Sequence, residues 1–153
     1  MVEIKVGVVT FRYTEDNIEL LLISQENTIS HVIGQQRENK TIVESALENL
    51  REKTGLNLLV VSLEPVYEIL QFTEVEGRKI EEKIYYFTGI SDPRQSATLS
   101  DYDIEYLWVD HLGGRNTITK NIDIQAYENA RNWLYENDEA PLFLANYLER
   151  LQL

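Results

Sequence analysis

Two glutamates one helical turn apart, Glu48 and Glu52, are spaced to share a ligand, because side chains at i and i+4 are neighbours on a helix surface. Such a pair can face one divalent cation, which can bridge phosphate oxygens and activate a water. The plainer alternative is two solvated surface acids, with Arg51 close enough to pair with Glu48. A third acid, Glu105, stands shortly before Trp108 at the end of a polar loop over 91–105 that also carries Asp101 and Asp103. Such runs are commonly just solvated, and the loop by itself cannot make a metal site. With about 100° of rotation per residue, Asn49, Glu52 and Lys53 fall together on the flank of a face made by Val43, Ala46, Leu47 and Leu50. That flank offers one carboxylate, one amide and one ammonium, whereas magnesium needs several oxygen ligands. Lys53 repels a cation at close range, and its charge can take over part of a metal's role toward an anion.

These residues have to be positioned by a helix, and its ends are written in the sequence. Thr41 is a good N-cap with Glu44 three positions on, which is a capping box, and Gly55 sits where a left-handed C-terminal cap is wanted. A helix from Ile42 to Thr54 is predicted. With the loop before it, the stretch GQQRENKTIVESALENLREKTGL, residues 34–56, resembles the Nudix box, GX5EX7REUXEEXGU, where U is a bulky aliphatic residue. Gly34, Leu50, Glu52, Gly55 and Leu56 match that pattern in type and spacing. Lys40 stands in place of the loop glutamate, Glu48 and Asn49 replace the arginine and glutamate, and Lys53 replaces the second glutamate of the final pair.

The resemblance implies a fold, an α/β/α sandwich around a mixed, curved sheet, and a chemistry, metal-assisted substitution at phosphorus using carboxylates on the helix flank. With those carboxylates replaced, the expected function is a Nudix-like domain that is non-hydrolytic or strongly impaired. It would bind a small nucleotide-like ligand or a protein partner through the former site, with Gly34, Asn49 and Lys53 among its contacts and no metal or other cofactor. The competing expectation is an active hydrolase of nucleoside diphosphate derivatives or dinucleoside polyphosphates, holding magnesium or manganese on a shifted set of Glu48, Glu52 and Glu105. Glu105 best resembles the family's glutamate at the start of its last strand. The segment ending in YYFTG resembles the hairpin of the diadenosine-tetraphosphate hydrolase branch, which makes Tyr86 and Lys83 further ligand-contact candidates. Read without the resemblance, Tyr85 and Tyr86 pack on the two faces of a strand and Lys83 is solvated.

The chain of 153 residues, 43% hydrophobic and 26% charged, fits one globular domain, residues 1–137, with a further apolar helix at 138–153. It has no cysteine, and His31 and His111 are isolated, which argues against zinc and against disulfides. A net charge of -12 excludes the basic stripe that nucleic-acid binding needs and disfavours a free polyphosphate unless local cations offset it. The N-terminus lacks a signal-peptide layout and no apolar run is long enough to span a bilayer, so a cytoplasmic protein without membrane contact is expected.

In chain order, strands are expected at 2–13, 18–24 and 29–33, then after the helix in NLLVVSL, PVYEILQFT, 79–90 and YLWV. Ile124, Tyr127, Ala130, Trp133 and Leu134 mark one face of a helix over 122–137, set on the side of the sheet opposite the box helix. Gly113 and Gly114 read as a plain turn. Leu144, Leu148 and Leu151 line up on the last helix, which either docks on its own domain or makes a two-fold dimer.

Overall fold

β-Branched and aromatic residues dominate Val2–Tyr13 (β1) and Arg78–Ser91 (β7), which pair in parallel from Val2 with Glu81 to Phe11 with Ile90. A computed structural model describes residues 2–14, 17–98 and 104–136. The other elements are β2 (Ile18–Gln25), β3 (Thr28–Ser30), β4 (Val32–Gln35), α1 (Ile42–Thr54), β5 (Leu58–Val61), β6 (Tyr67–Val75), β8 (Glu105–Asp110), a 3-10 turn (His111–Gly113), α2 (Gly114–Thr117) and α3 (Asn121–Glu136). The helix expected over 138–153, and Asp101 and Asp103, lie outside the described residues.

Both central strands are long enough to take two partners along one edge. β1 pairs with β4 through Lys5–Val8 and with β2 through Phe11–Tyr13, while β7 pairs with β6 over its first part and β5 over its last. With β3 and β8 on β2, this makes one eight-stranded sheet, mixed because only the β1–β7 pairing is parallel. The extended segment expected at 29–33 is broken at His31, because Thr28–Ser30 pairs with β2 and Val32–Gln35 crosses to β1.

Side chains alternate between the faces of a strand, so each central strand feeds two cores. Val6, Val8 and Phe87 join Ala46, Leu50 and Leu56 beneath α1. Val9, Phe11, Ile84, Tyr86 and Ile90 join Ala126, Tyr127, Ala130 and Leu134 beneath α3. The helices therefore cover opposite faces, as the α/β/α reading expected. Gly113 and Gly114 do not form a plain turn. Gly114 opens the helical turn α2, and a Cβ there would come within 2.6 Å of Leu20, so the absence of a side chain lets this turn press on the core. Among the described residues no helix is long and apolar enough to cross a membrane.

Candidate functional site

The capping box at Thr41 forms as the sequence predicts: its hydroxyl accepts from the Glu44 N–H at 3.2 Å, and the Glu44 carboxylate accepts from the Thr41 N–H at 3.3 Å. At the other end, Gly55 takes φ +76° and its N–H donates to Arg51 O at 2.7 Å. Between these ends α1 is rotated relative to the simple apolar-face expectation. Its buried residues are Ser45, Ala46, Asn49, Leu50 and Thr54, while Val43 and Leu47 are only partly covered. Buried polar groups need partners. Thr54 donates to Leu50 O at 2.7 Å, and the partners of Ser45 and Asn49 lie in the preceding loop.

That loop delivers Arg37, whose importance the sequence reading missed. Its backbone N–H donates to Ser45 Oγ at 2.9 Å, which fixes the loop on the helix. Its guanidinium then spans the flank. Nε and Nη2 donate to Asn49 Oδ1 at 3.0 and 2.8 Å, while Nη1 donates to Glu52 Oε1 at 2.8 Å and Nη2 to Glu52 Oε2. Glu48 Oε2 lies 3.6 Å from Nη1, and Glu48 Oε1 lies 3.2 Å from Lys40 Nζ. Glu48 is therefore paired with Arg37 and Lys40, and the local pairing with Arg51 considered from sequence is not made. The forked geometry suits a guanidinium and a carboxylate. It holds the Glu52 carboxyl below its usual range and raises the Arg37 pKa.

Asn49, 6% exposed, also donates from Nδ2 to Gln35 O at 3.0 Å, so its amide is used on both ends. Gly34 is required here, because a Cβ at that position would lie 2.7 Å from Asn49 Nδ2. Lys53 donates its ammonium to Ile33 O. Lys53 is exposed as a residue, and partial burial lowers its pKa.

The remaining candidates are spread over the sheet. Glu105 opens β8 in register with Ser24, and among the described residues no group of three or more His, Asp or Glu is gathered to hold a metal. Lys83 and Tyr86 are three positions apart on β7 and so point to opposite faces. Lys83 pairs with Glu68 at 3.2 Å on the α1 side. Tyr86 is buried in the α3-side core and donates to Asp123 Oδ1 at 3.1 Å, with its pKa raised first by burial and then by that carboxylate. One small ligand cannot contact both from a single face.

Two cavities open near β4, one touching the flank at Lys53 and the other on the α3 side of the sheet. The smaller, about 70 Å³, is lined by Lys53, His31, Gln25, Ser30 and Ile33 among others. The larger, about 370 Å³, lies between the sheet and the first turn of α3 and shares Ser30 and Ile33 with the first. Its walls include Lys5, Lys120, Gln71, Glu82, Tyr86 and Asp123. Glu82 is nearly buried, with Lys5 Nζ at 2.6 Å and Gln71 Nε2 at 2.9 Å, and these contacts hold its carboxyl below its usual range. The larger volume falls in the range typical of small-molecule sites.

The fold has many solved counterparts. The chain superposes on a C. elegans Ap4A hydrolase with a TM-score of 0.65 and 14% identity, covering 87% of this chain and 98% of that one. The NUDIX domain of Shewanella oneidensis NrtR, solved with ADP ribose, gives 0.69 and 16%, covering 88% and 89%. A Nudix hydrolase described from Listeria monocytogenes gives 0.68 and 17%, covering 88% and 96%. The chain has the Nudix fold. No protein-family model and no curated protein matches its sequence. Within the Nudix fold, the loop and helix that resemble the box by sequence are the loop and helix joined here by Arg37.

Proposed function

We propose that this Nudix-fold domain binds a small nucleotide-like ligand without a divalent ion, and that hydrolysis is absent or strongly impaired. The observation that carries this reading is the guanidinium of Arg37, seated on Glu52, Asn49 and, at longer range, Glu48. A divalent ion needs several free oxygen ligands, and here Glu48 and Glu52 are both engaged by cations belonging to the chain. Arg37 supplies the positive charge, is permanently protonated, and cannot activate a water as a metal does. The two adjoining cavities give a ligand somewhere to sit, and the ADP ribose bound by the NrtR domain supports a nucleotide-like class.

The test is equilibrium binding of ADP and ADP ribose in EDTA and in magnesium, with product analysis of the magnesium samples. Saturable binding that survives EDTA, with no product formed, is expected. Binding that requires magnesium, or accumulation of hydrolysis products, would contradict the reading.

A further inference from the structure

The larger cavity has two carboxylates in its walls, Glu82 and Asp123, and they differ in what is left over. Glu82 has both oxygens engaged, Oε1 by Lys5 Nζ at 2.6 Å and Oε2 by Gln71 Nε2 at 2.9 Å. Asp123, the third residue of α3, is 7% exposed and is fixed from two sides. Its carbonyl lies 2.9 Å from His31 Nε2, which must donate to it, and its Oδ1 accepts the Tyr86 hydroxyl at 3.1 Å. Asp123 Oδ2 has no partner among the described residues, and it is not one of the fully enclosed side-chain atoms, so the cavity reaches it. A carboxylate so nearly buried with lone pairs unused is unfavourable until a donor joins it. The first turn of a helix favours an acid, but an acid in solvent meets that preference equally well and need not lie against Tyr86.

We propose that this cavity takes the ring of the ligand and that Asp123 is its specificity-determining residue, selecting a 2-amino-6-oxopurine ring of the guanine type. The volume of about 370 Å³ suits a small organic molecule, and Ile33, Ile84 and Ile122 give the ring an apolar wall. A carboxylate accepts and cannot donate, so it sorts rings by their donors. Guanine presents an N–H and an NH2 side by side, a pair that matches the two oxygens of one carboxylate. Adenine and cytosine place a bare ring nitrogen beside the amino group, which would set one acceptor against another. Uracil flanks its N–H with two carbonyls and fails in the same way. Lys120, three positions before Asp123 and on the same wall, can donate to the ring carbonyl. A polar group built to meet such a donor pair rejects a ring that lacks it, because the group is then left buried and unpaired.

This inference rests on the nucleotide-like ligand of the proposed function, and the experiment separates the two. GMP, IMP and AMP share one ribose phosphate, so their ratio reports the ring alone. Each is titrated calorimetrically into the full chain, once in EDTA and once in magnesium. GMP is expected to bind about tenfold or more tighter than AMP in both buffers, with IMP, which has the N–H and lacks the amino group, between them. Asp123→Asn keeps an oxygen for the Tyr86 hydroxyl and the backbone carbonyl for His31, and should weaken GMP by about tenfold without weakening AMP. Thermal melts check that the variant folds, and the ratio measured on the parent chain stands whether or not it does. No saturable binding of any of the three, equal affinities in both buffers, or a GMP preference unaltered in folded Asp123→Asn would overturn the inference. Binding that appears only in magnesium, with the GMP preference intact, would support it and overturn the metal-independent reading instead.

Discussion

Arg37 and Glu52 are both at the protein surface, so their pairing is shaped by geometry as much as by charge: the guanidinium is anchored through its own backbone to Ser45 and through Nε to Asn49. Removing it leaves Glu48 and Glu52 facing one another beside Lys40. In thermal melts, Arg37→Ala is expected to be stabilised by millimolar magnesium or manganese while the parent is indifferent; equal responses would show that Arg37 does not block the carboxylates. His31 gives a prediction of a different kind. Burial lowers its pKa below the ordinary 6.5, so it is held neutral. Its contribution to stability is complete above that value and is lost as pH falls toward the folded-state pKa. His31→Gln should therefore flatten the decline of stability between about pH 7 and 5, as read from denaturant midpoints. An unchanged slope would place that decline on other groups. At this scale the helix flank was legible, because Asn49, Glu52 and Lys53 follow from helical rotation alone. Arg37 was not, because no periodicity ties a loop residue to a helix residue 12 positions away. The unused signal was an arginine at an unspecified loop position of a box that lacks most of its carboxylates.

At the scale of elements, α1 is fixed locally and the sheet is fixed at long range. Both caps of α1 are made by residues within four positions of its ends, which is why its limits could be read from sequence. Thr41→Ala should accordingly lower stability by about 1 kcal/mol in chemical denaturation without altering the fold. The opposite case is Gly89 on β7, where a Cβ would run into Val60 O and come within 2.8 Å of Leu58. A clash with backbone cannot be relieved by a rotamer change, so Gly89→Ala should destabilise by about 1–3 kcal/mol, more than an alanine at open Gly113. If the two substitutions have equal effects, the close approach of β5 to β7 is not what Gly89 provides. The break at His31 follows from a change of partner strand from β2 to β1, which alternation cannot reveal. The rotation of α1 had a similar cause. Ser45 and Asn49 look solvent-facing by type, and they are buried because the loop carrying Arg37 gives them partners.

The whole molecule carries a net charge of -12, yet Lys5, Lys53 and Lys120 line the two cavities near β4, and Arg37 and Lys40 stand on the loop before α1. An acidic chain that lines this pair of cavities with Lys5, Lys53 and Lys120 can offset its own field there. Lys5, Arg37 and Lys40 neutralise carboxylates of the chain, an arrangement that leaves little for a divalent ion to do. The direct test is calorimetric titration of magnesium and manganese into the parent chain and into an Arg37→Ala/Asn49→Glu/Lys53→Glu variant, each with and without a non-hydrolysable dinucleoside polyphosphate. No saturable metal binding to the parent under either condition, with saturable binding to the variant, is the predicted result. Saturable binding to the parent, strengthened by the nucleotide, would contradict the account and restore a working metal site.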